Sequence, residues 1–252
     1  MDLGLADRVV LLTGATRGIG LATARAFAAE GARVVLTYCH AKAEADALVA
    51  ELGGPARASA VRYALDEPGS PEAAVAEATA RWGAVDVLVA NAHRRGPRRA
   101  PGVRFEQVPE QEWRATLTDN LAGTVRTAQL VLPGMRKRGW GRVLLLSSHV
   151  ATHGRGGQEV YGAAKAALHG LARSLAWEAG PDGVLVNVVA PGLTLTEGVL
   201  EKLPAALREE ERGRTPTARL SDPADVARAV VFLGSDANSN INGQVLHVDG
   251  GR

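Results

Sequence analysis

A weak acid and a fixed cation stand four positions apart, at Tyr161 and Lys165. The surrounding residues 159–168 are rich in alanine, which favours an α-helix. Residues at i and i+4 of a helix lie on the same face, with Cβ atoms about 5–6 Å apart. A phenol beside an ammonium group could hold and release a proton. The same pair also suits a solvent-exposed helix surface, so these two residues alone leave both interpretations open.

A second segment with chemical potential is the glycine-rich TGATRGIG at residues 13–20. It follows an apolar run and precedes a helical pattern, which is the context of a phosphate-binding loop. Gly14 would permit a tight turn, Gly18 would allow a ligand to approach the backbone, and Gly20 would let the helix pack on the strand. Free N–H groups at the helix start would then face a pyrophosphate. A tight turn without a ligand is the alternative.

Short runs rich in β-branched residues and leucine alternate with amphipathic, alanine-rich stretches. The runs lack a period of two, which is typical of strands that are buried on both faces. The predicted strands are residues 8–12, 33–37, 60–64, 86–90, 142–147, 184–190 and 244–248. The predicted helices are residues 18–30, 41–52, 71–81, 110–137, 159–179 and 223–234. This alternation predicts an α/β Rossmann fold, a doubly wound parallel sheet of about seven strands with helices on both faces.

No internal linker stands out, so we expect residues 1–252 to form a single dinucleotide-binding and catalytic domain. Residues 193–220 contain no strand pattern and are rich in Glu, Arg, Leu and Pro. We expect helices and loops there, forming an excursion that could act as a lid over a substrate site.

The composition argues against several classes of protein. Hydrophobic residues make up 46% and charged residues 22% of the chain, as in globular proteins with a sizeable core. A net charge of +2 gives no case for nucleic-acid binding. The sequence has no long apolar run, no signal-peptide pattern and only one cysteine, Cys39, so we expect a cytoplasmic protein without a membrane partner. It has no compact set of metal ligands either, so no metal site is expected.

The sequence resembles the short-chain dehydrogenase/reductase family, and within it the 3-oxoacyl-[acyl-carrier-protein] reductases and related ketoreductases. The resemblance covers nearly the whole chain and rests on the order and spacing of its motifs. These motifs are TGATRGIG at 13–20, VDVLVANA at 85–92, DNLAGT at 119–124, LLSS at 145–148, YGAAK at 161–165, VNVVAPGLTLT at 186–196 and INGQVLHVDGG at 241–251. It implies an NADP-dependent oxidoreductase that reduces a ketone to a secondary alcohol by hydride transfer.

Four residues match the catalytic positions of that family, namely Asn120, Ser148, Tyr161 and Lys165. Hydride addition to a ketone leaves an alkoxide, and a phenol can supply the proton that it needs. Poising a tyrosine near neutral pH requires about 4 kcal/mol of preferential phenolate stabilisation, which Lys165 and the positive ring of the oxidised cofactor could provide. We expect Tyr161 to donate the proton and Ser148 to hold the substrate oxygen. The resemblance implies that Lys165 binds the nicotinamide ribose and that Asn120 organises a water-linked proton path.

The resemblance also implies a set of cofactor-binding residues. They are Gly14, Thr16, Arg17, Gly18, Ile19, Gly20, Tyr38, His40, Asn91, Ala92, Tyr161, Lys165, Pro191, Gly192, Leu193, Thr194 and Thr196. NAD-using relatives usually end the second strand with an acid, which bonds the ribose 2′-hydroxyl and would repel a 2′-phosphate. Here residues 37–40 contain no acid, and Arg17 matches a position that often meets that phosphate. We therefore expect NADP(H) rather than NAD(H), with a plain surface role for Arg17 as the alternative.

The segment after the fourth predicted strand departs from the family pattern. The usual Asn-Asn-Ala-Gly is Ala-Asn-Ala-His at residues 90–93, so an imidazole replaces a hydrogen near the expected cofactor path. His93 could contact the substrate or pack in the interior, and we favour packing. The basic loop 93–104 could attract an anionic substrate or a carrier protein, or could simply be solvated. The residues that could line a substrate pocket are His93, Arg98, His149 and His153.

The substrate expected from the resemblance is a carrier-bound or polyketide-like carbonyl in a biosynthetic pathway. An NADP-dependent dehydrogenase of a small alcohol or sugar is one alternative. A non-catalytic cofactor-sensing protein is another, which the complete set of catalytic residue types disfavours. Trp177 stands where similar carrier-protein reductases often carry arginine. The family also implies a homotetramer, with the helices at 110–137 and 159–179 forming one shared interface.

Overall fold

The computed structural model describes residues 2–96, 99–100 and 102–252. Its strands are β1 Val9–Leu12, β2 Arg33–Tyr38, β3 Ala58–Arg62, β4 Val87–Ala90, β5 Gly141–Leu146, β6 Val184–Pro191 and β7 Val245–Val248. Its helices are α1 Gly18–Ala29, α2 Lys42–Glu51, α3 Ser70–Trp82, α4 Glu110–Arg138, α5 Val150–His153, α6 Glu159–Ala179, α7 Glu197–Lys202, α8 Ala205–Gly213 and α9 Pro223–Leu233. Within the described residues, seven parallel strands form one sheet in the order β3-β2-β1-β4-β5-β6-β7. The predicted fold class is confirmed.

The apolar strands lack alternation because each of them supplies two cores. In β1, Val9 and Leu11 face the core beneath α3, α4 and α6, whereas Val10 and Leu12 face the core beneath α1, α2 and α9. Successive side chains of a strand point to opposite faces of the sheet, so a sheet covered on both faces needs apolar residues at every position.

The strand order reverses at β1, which pairs with β2 on one side and with β4 on the other. In doubly wound sheets, ligands bind outside the carboxyl ends of the strands at such a point. The glycine-rich loop follows β1, Asn91 follows β4, Ser148 lies two residues beyond β5, and Pro191 ends β6. The topology therefore brings most of the candidate functional segments to one edge of the sheet.

Most boundaries of the predicted strands and helices lie within one residue of the prediction, and the third strand differs most. The third strand covers residues 58–62 instead of 60–64. Tyr63 instead turns towards α4, where its hydroxyl lies 2.9 Å from the Thr127 hydroxyl. The short helix α5 directly after Ser148 was not predicted, because four residues show no measurable periodicity.

Residues 193–220, which the structure describes completely, contain α7 and α8 and no strand. This agrees with the predicted excursion of helices and loops. Within the part of the chain that the structure covers, none of the helices combines the length and apolarity needed to cross a membrane.

Candidate active site

The buried face of α6 carries both members of the tyrosine–lysine pair. Tyr161 and Lys165 are 8% and 3% exposed, and Leu168 and Ala172 continue the same buried stripe. The spacings of four, three and four residues are those of one helix face. The alternative of a solvent-exposed surface pair is therefore wrong.

Reciprocal hydrogen bonds tie Lys165 to the end of β5. Its Nζ donates to the carbonyl of Leu146 at 2.7 Å, and the Ser147 hydroxyl donates back to the carbonyl of Lys165 at 3.0 Å. His169 Nε2 lies 2.8 Å from the same hydroxyl. Because the hydroxyl proton is already engaged, His169 must donate this bond, so the proton of its neutral ring is on Nε2. Burial lowers the pKa of Lys165 from 10.5 to about 7.

The phenol of Tyr161 is less acidic than a free tyrosine in this structure. Burial raises its pKa, while the charge of Arg95 and the neighbouring Ser148 hydroxyl act in the opposite direction. Lys165 Nζ lies 5.9 Å from the centre of the phenol ring and is directed at the Leu146 carbonyl. In the ligand-free chain, desolvation of the phenolate outweighs the nearby positive charges, so the acidification expected from Lys165 together with the oxidised cofactor stays a prediction for the cofactor-bound site.

The two other candidate catalytic residues, Asn120 and Ser148, have different hydrogen-bond partners. The Asn120 amide, 1% exposed, donates to the carbonyls of Thr116 at 2.7 Å and Arg94 at 2.6 Å. Its Oδ1 accepts a hydrogen bond from the Arg94 N–H at 3.1 Å. Asn120 therefore links the loop after β4 to α4. The Ser148 hydroxyl accepts a bond from the N–H of Val150 at 3.3 Å and is half-buried at the cleft.

The loop between β1 and α1 has the geometry of an anion cradle. Gly14 and Gly18 have φ angles of +68° and +53°, and a Cβ on Gly20 would lie 2.1 Å from the Gly14 carbonyl oxygen. No acidic residue lies in the first turn of α1 and no side chain caps its start. The N–H of Gly18 donates instead to Glu197 Oε2 at 3.3 Å. A carboxylate thus already occupies part of the position where a phosphate would bind, so these residues fit a dinucleotide.

Asn91 braces this loop from β4. Its Nδ2 donates to the carbonyls of Thr13 and Gly14 at 2.9 and 2.8 Å. The hydroxyl of Thr13 accepts bonds from the N–H groups of Asn91 and Ala92. The Ala92 backbone therefore lies against Gly14, with its Cα 3.1 Å from the place of a Gly14 Cβ. These contacts place Asn91 and Ala92 at the wall of the predicted cofactor cleft.

The segment after β6 borders the same cleft. Thr194 is buried and donates to the carbonyl of Gly192 at 3.1 Å. A Cβ on Gly18 would lie 2.9 Å from the Thr196 methyl carbon, so this segment passes directly over the glycine loop. The structure thereby brings together the predicted cofactor-binding residues from β1, β4 and β6.

The end of β2 offers no acid to the cleft. Tyr38 is half-buried, His40 is exposed, and Cys39 Sγ lies 3.3 Å from His40 Nε2. Arg17, at the start of α1, is also exposed and has no ion pair among the described residues. None of residues 37–40 can supply the acid that the second strand presents in an NAD-using relative.

His93 lies in the cleft and not in the core. Its ring centre is 6.2 Å from that of Tyr161, and its surface reaches solvent through the open cleft. Desolvation by the surrounding protein lowers the pKa of His93 to about 3, and the positive charges of Lys165 and Arg95 act in the same direction. Nδ1 lies 3.3 Å from the carbonyl of Asn91, which can only accept, so Nε2 is left as a hydrogen-bond acceptor. The favoured packing role is therefore wrong.

Two of the other three predicted substrate residues, His149 and His153, lie close together. The ring centres of His149 and His153 are 6.4 Å apart, and His247 of β7 lies 6.1 Å from His153. Burial lowers the pKa of His149, whose Nδ1 has no hydrogen-bond partner within the described residues. Arg98 lies outside the described residues. Among the residues that the structure covers, no three histidines, cysteines or carboxylates form a metal-binding group.

Comparison with known proteins gives the family. A family model described as Enoyl-(Acyl carrier protein) reductase matches residues 14–252. A solved structure described as a short chain dehydrogenase/reductase family protein matches with a TM-score of 0.85 and 35% identity, covering 100% of this chain and 98% of its own. The chain belongs to the short-chain dehydrogenase/reductase family. The predicted resemblance is confirmed, and the protein is an oxidoreductase of that family.

Two curated members of the family are similar over nearly their whole length. The 3-oxoacyl-[acyl-carrier-protein] reductase FabG of Escherichia coli is 37% identical, covering 97% of this chain and 96% of its own. The short-chain reductase protein NovJ of Streptomyces niveus is 36% identical, covering 98% of this chain and 94% of its own.

Sequence reasoning missed the roles of several residues of the site. Arg94 and Asp119 form an ion pair, His169 supports Lys165 through Ser147, and Glu197 reaches the glycine loop. The spacing of four between Lys165 and His169 could have suggested a shared face. The other contacts join residues that are distant in the chain.

The buried lysine predicts a specific pH dependence of stability. Its pKa is about 7 in the folded chain instead of 10.5, so between these values the unfolded chain binds more protons. The contribution of Lys165 therefore makes the free energy of unfolding rise with pH, by up to about 1.4 kcal/mol per pH unit. We expect Lys165→Met to remove this rise. Urea unfolding of the ligand-free protein at several pH values between about 7 and about 10 measures it.

The matched control is Lys137→Met, because Lys137 is exposed at the end of α4. That variant should keep the wild-type slope. A Lys165→Met protein with the same slope as wild type would show that the lysine is not desolvated.

Proposed function

We propose that the protein is an NADP(H)-dependent ketoreductase, which reduces a ketone to a secondary alcohol with Tyr161 as the proton donor. One observation carries the proposal: the anion cradle follows β1, Ser148 follows β5, and α6 holds Tyr161 and Lys165 against the end of β5, so all four lie at the carboxyl edge of the sheet. The name of the FabG relative supports a carrier-bound 3-oxoacyl substrate, and such a substrate suits a biosynthetic role.

The glycine loop, Asn91, Ala92 and the segment 191–196 are the proposed dinucleotide-binding surface. Bound there, a nicotinamide cofactor supplies the hydride. The exposed Arg17 and His40, with no acid at the end of β2, favour the form that carries a 2′-phosphate. Glu197 must release the Gly18 N–H when an anion takes its place.

Tyr161 is suited to giving a proton. Since burial raises its pKa, the phenol is protonated in the ligand-free protein at neutral pH. An alkoxide is far more basic than a phenolate, so transfer from the phenol to the new alkoxide oxygen is downhill. The hydroxyl of Ser148 lies beside the phenol, where it can donate a hydrogen bond to the substrate oxygen. This protonation state favours reduction over oxidation.

Lys165 and Asn120 are proposed to support Tyr161 as the proton donor. Lys165 is held at the end of β5, within reach of a cofactor ribose, and its pKa of about 7 lets it carry or release a proton near neutral pH. Asn120 fixes the loop that carries His93 and so shapes the cleft wall opposite α6. A water-linked path from these residues to solvent would replace the proton that Tyr161 gives.

The proposal extends to the lid, the domain organisation, the oligomeric state and the location of the protein. Residues 193–220 would act as a substrate lid on a single domain of residues 1–252. A homotetramer would use α4 and α6 as a shared interface, which the 86% exposure of Trp177 on α6 supports. A cytoplasmic location suits an enzyme of this kind.

Reduction of a carbon–carbon double bond is the second candidate, because the matching family model is described as an enoyl reductase. Ser148 beside the phenol argues for a carbonyl oxygen as the group that receives the proton. Assays with a 3-oxoacyl thioester and the corresponding 2-enoyl thioester distinguish the two candidates. The proposal requires NADPH consumption with the former.

Tyr161→Phe removes only the proposed proton donor. We expect NADPH consumption with a 3-oxoacyl thioester to fall by about 100-fold or more, because general acid catalysis contributes at this level. The dissociation constant for NADPH, measured by fluorescence titration, should change by less than about twofold, since the ring remains. Tyr63→Phe is the control, because Tyr63 is buried and contacts Thr127 away from the cleft. Turnover of Tyr161→Phe close to that of the control would contradict the assignment.

Arg17→Ala tests the choice of cofactor. A charge-assisted bond to a phosphate contributes about 1.5–3 kcal/mol, so we expect the KM for NADPH to rise about tenfold or more. The KM for NADH should stay nearly constant, because NADH lacks the 2′-phosphate. Arg57→Ala is the control, since Arg57 pairs with Asp7 next to the amino end of β3. An equal loss with both cofactors would count against the proposed phosphate contact.

A further inference from the structure

The guanidinium of Arg94 lies between two carboxylates from different elements. Its Nη1 is 2.7 Å from Oδ2 of Asp119 on α4. Its Nη2 donates to Oδ2 of Asp66, in the turn after β3, at 2.9 Å. The planar guanidinium presents its N–H groups in fixed directions, so it can hold two such groups at once.

The two carboxylates differ in how much they depend on Arg94. The Asp66 side chain is 54% exposed, so water can solvate it without a partner. The Asp119 side chain is 7% exposed, and apart from its ion-pair contact with Arg94 its Oδ2 has no partner within the described residues. A buried carboxylate needs a counter-charge, so Asp119 depends on Arg94 more strongly than Asp66 does.

The backbone of Arg94 forms two hydrogen bonds with Asn120, the catalytic candidate that follows Asp119 in α4. The Arg94 N–H donates to Asn120 Oδ1 at 3.1 Å, and the Arg94 carbonyl accepts a bond from Asn120 Nδ2 at 2.6 Å. Arg94 therefore contacts two consecutive residues of α4, one through its side chain and the other through its backbone.

The loop around Arg94 is anchored at its start, where the N–H groups of Asn91 and Ala92 donate to the Thr13 hydroxyl. Residues 91–96 have no regular secondary structure. Gly96 lies close to α4, since a Cβ there would be 2.5 Å from the hydroxyl of Thr116. His93, directly before Arg94, lies beside Tyr161. A shift of Arg94 along α4 would thus move both the Asn120 amide and the cleft wall that faces the phenol.

We propose that Arg94 is a positioning residue, which sets the Asn120 side chain and the loop 91–96 through its ion pair with Asp119. The inference rests on the proposed function, because it takes Asn120 to serve proton transfer. Misplacement of a reacting group by about 1 Å can cost about 100-fold in rate, so a small shift of this loop is sufficient to affect turnover.

A double-mutant cycle on the full-length protein tests this inference. The variants are Arg94→Ala, Asp119→Asn, the combination of both, Asp66→Asn, and Asn120→Ala as the benchmark. For each of them, kcat, the KM values for NADPH and a 3-oxoacyl thioester, the solvent deuterium isotope effect on kcat and the Tm are measured. The isotope effect reports on proton transfer, which a change confined to folding stability would not alter.

We expect Arg94→Ala and Asp119→Asn each to lower kcat by about tenfold or more and to alter the isotope effect, with KM values within about twofold of wild type. The combination should be no slower than either single variant, because both substitutions remove the same ion pair. Asp66→Asn should keep the wild-type kcat. The combined variant should regain much of the Tm that Arg94→Ala loses, because no buried charge is left without a partner.

Three results would overturn the inference. The first is a combined variant whose kcat recovers together with its Tm, which would reduce the pair to a structural role. The second is an Asp66→Asn protein as slow as Arg94→Ala. The third is a fully active Asn120→Ala protein. If Asn120→Ala and Tyr161→Phe were both fully active, the proposed function itself would fail.

Discussion

The structure of the site depends on the buried bonds between α6 and the end of β5. Lys165 donates to the Leu146 carbonyl, and Ser147 donates back to the Lys165 carbonyl. Because an ammonium group cannot stay buried without such a partner, the position of α6 relative to the sheet is closely determined. Tyr161, one turn earlier, is thereby placed beside Ser148, the next residue after Ser147.

Desolvation is the dominant electrostatic influence in the cleft. It raises the pKa of Tyr161, lowers that of Lys165 to about 7 and lowers that of His93 to about 3. All three effects favour uncharged side chains. A protonated phenol and a neutral imidazole therefore line the cleft, while the loop after β4 and the start of α1 supply the positive charge. Under the proposed function, such a site would attract anions and keep a proton ready for transfer.

The sequence was sufficient for most of the fold. Val9 to Leu12 are uniformly apolar because both faces of the sheet are covered, and the spacing of Tyr161 and Lys165 gave their common helix face. The direction of the Tyr161 pKa could not be predicted, since it depends on burial by distant elements. The ion pair of Arg94 with Asp119 was equally inaccessible, because the two residues are 25 positions apart in the chain. The family is confirmed, whereas the roles of individual site residues stay predictions.

The protonation state of the phenol can be measured directly. The chain has only 3 tyrosines, so protein labelled with 13C at the tyrosine ζ carbon gives few resonances, and Tyr161→Phe identifies the one of interest. We expect this resonance to titrate in the ligand-free protein with a midpoint above 10.0, the ordinary value for the phenol. A midpoint at or below that value would contradict the claim that burial keeps Tyr161 protonated.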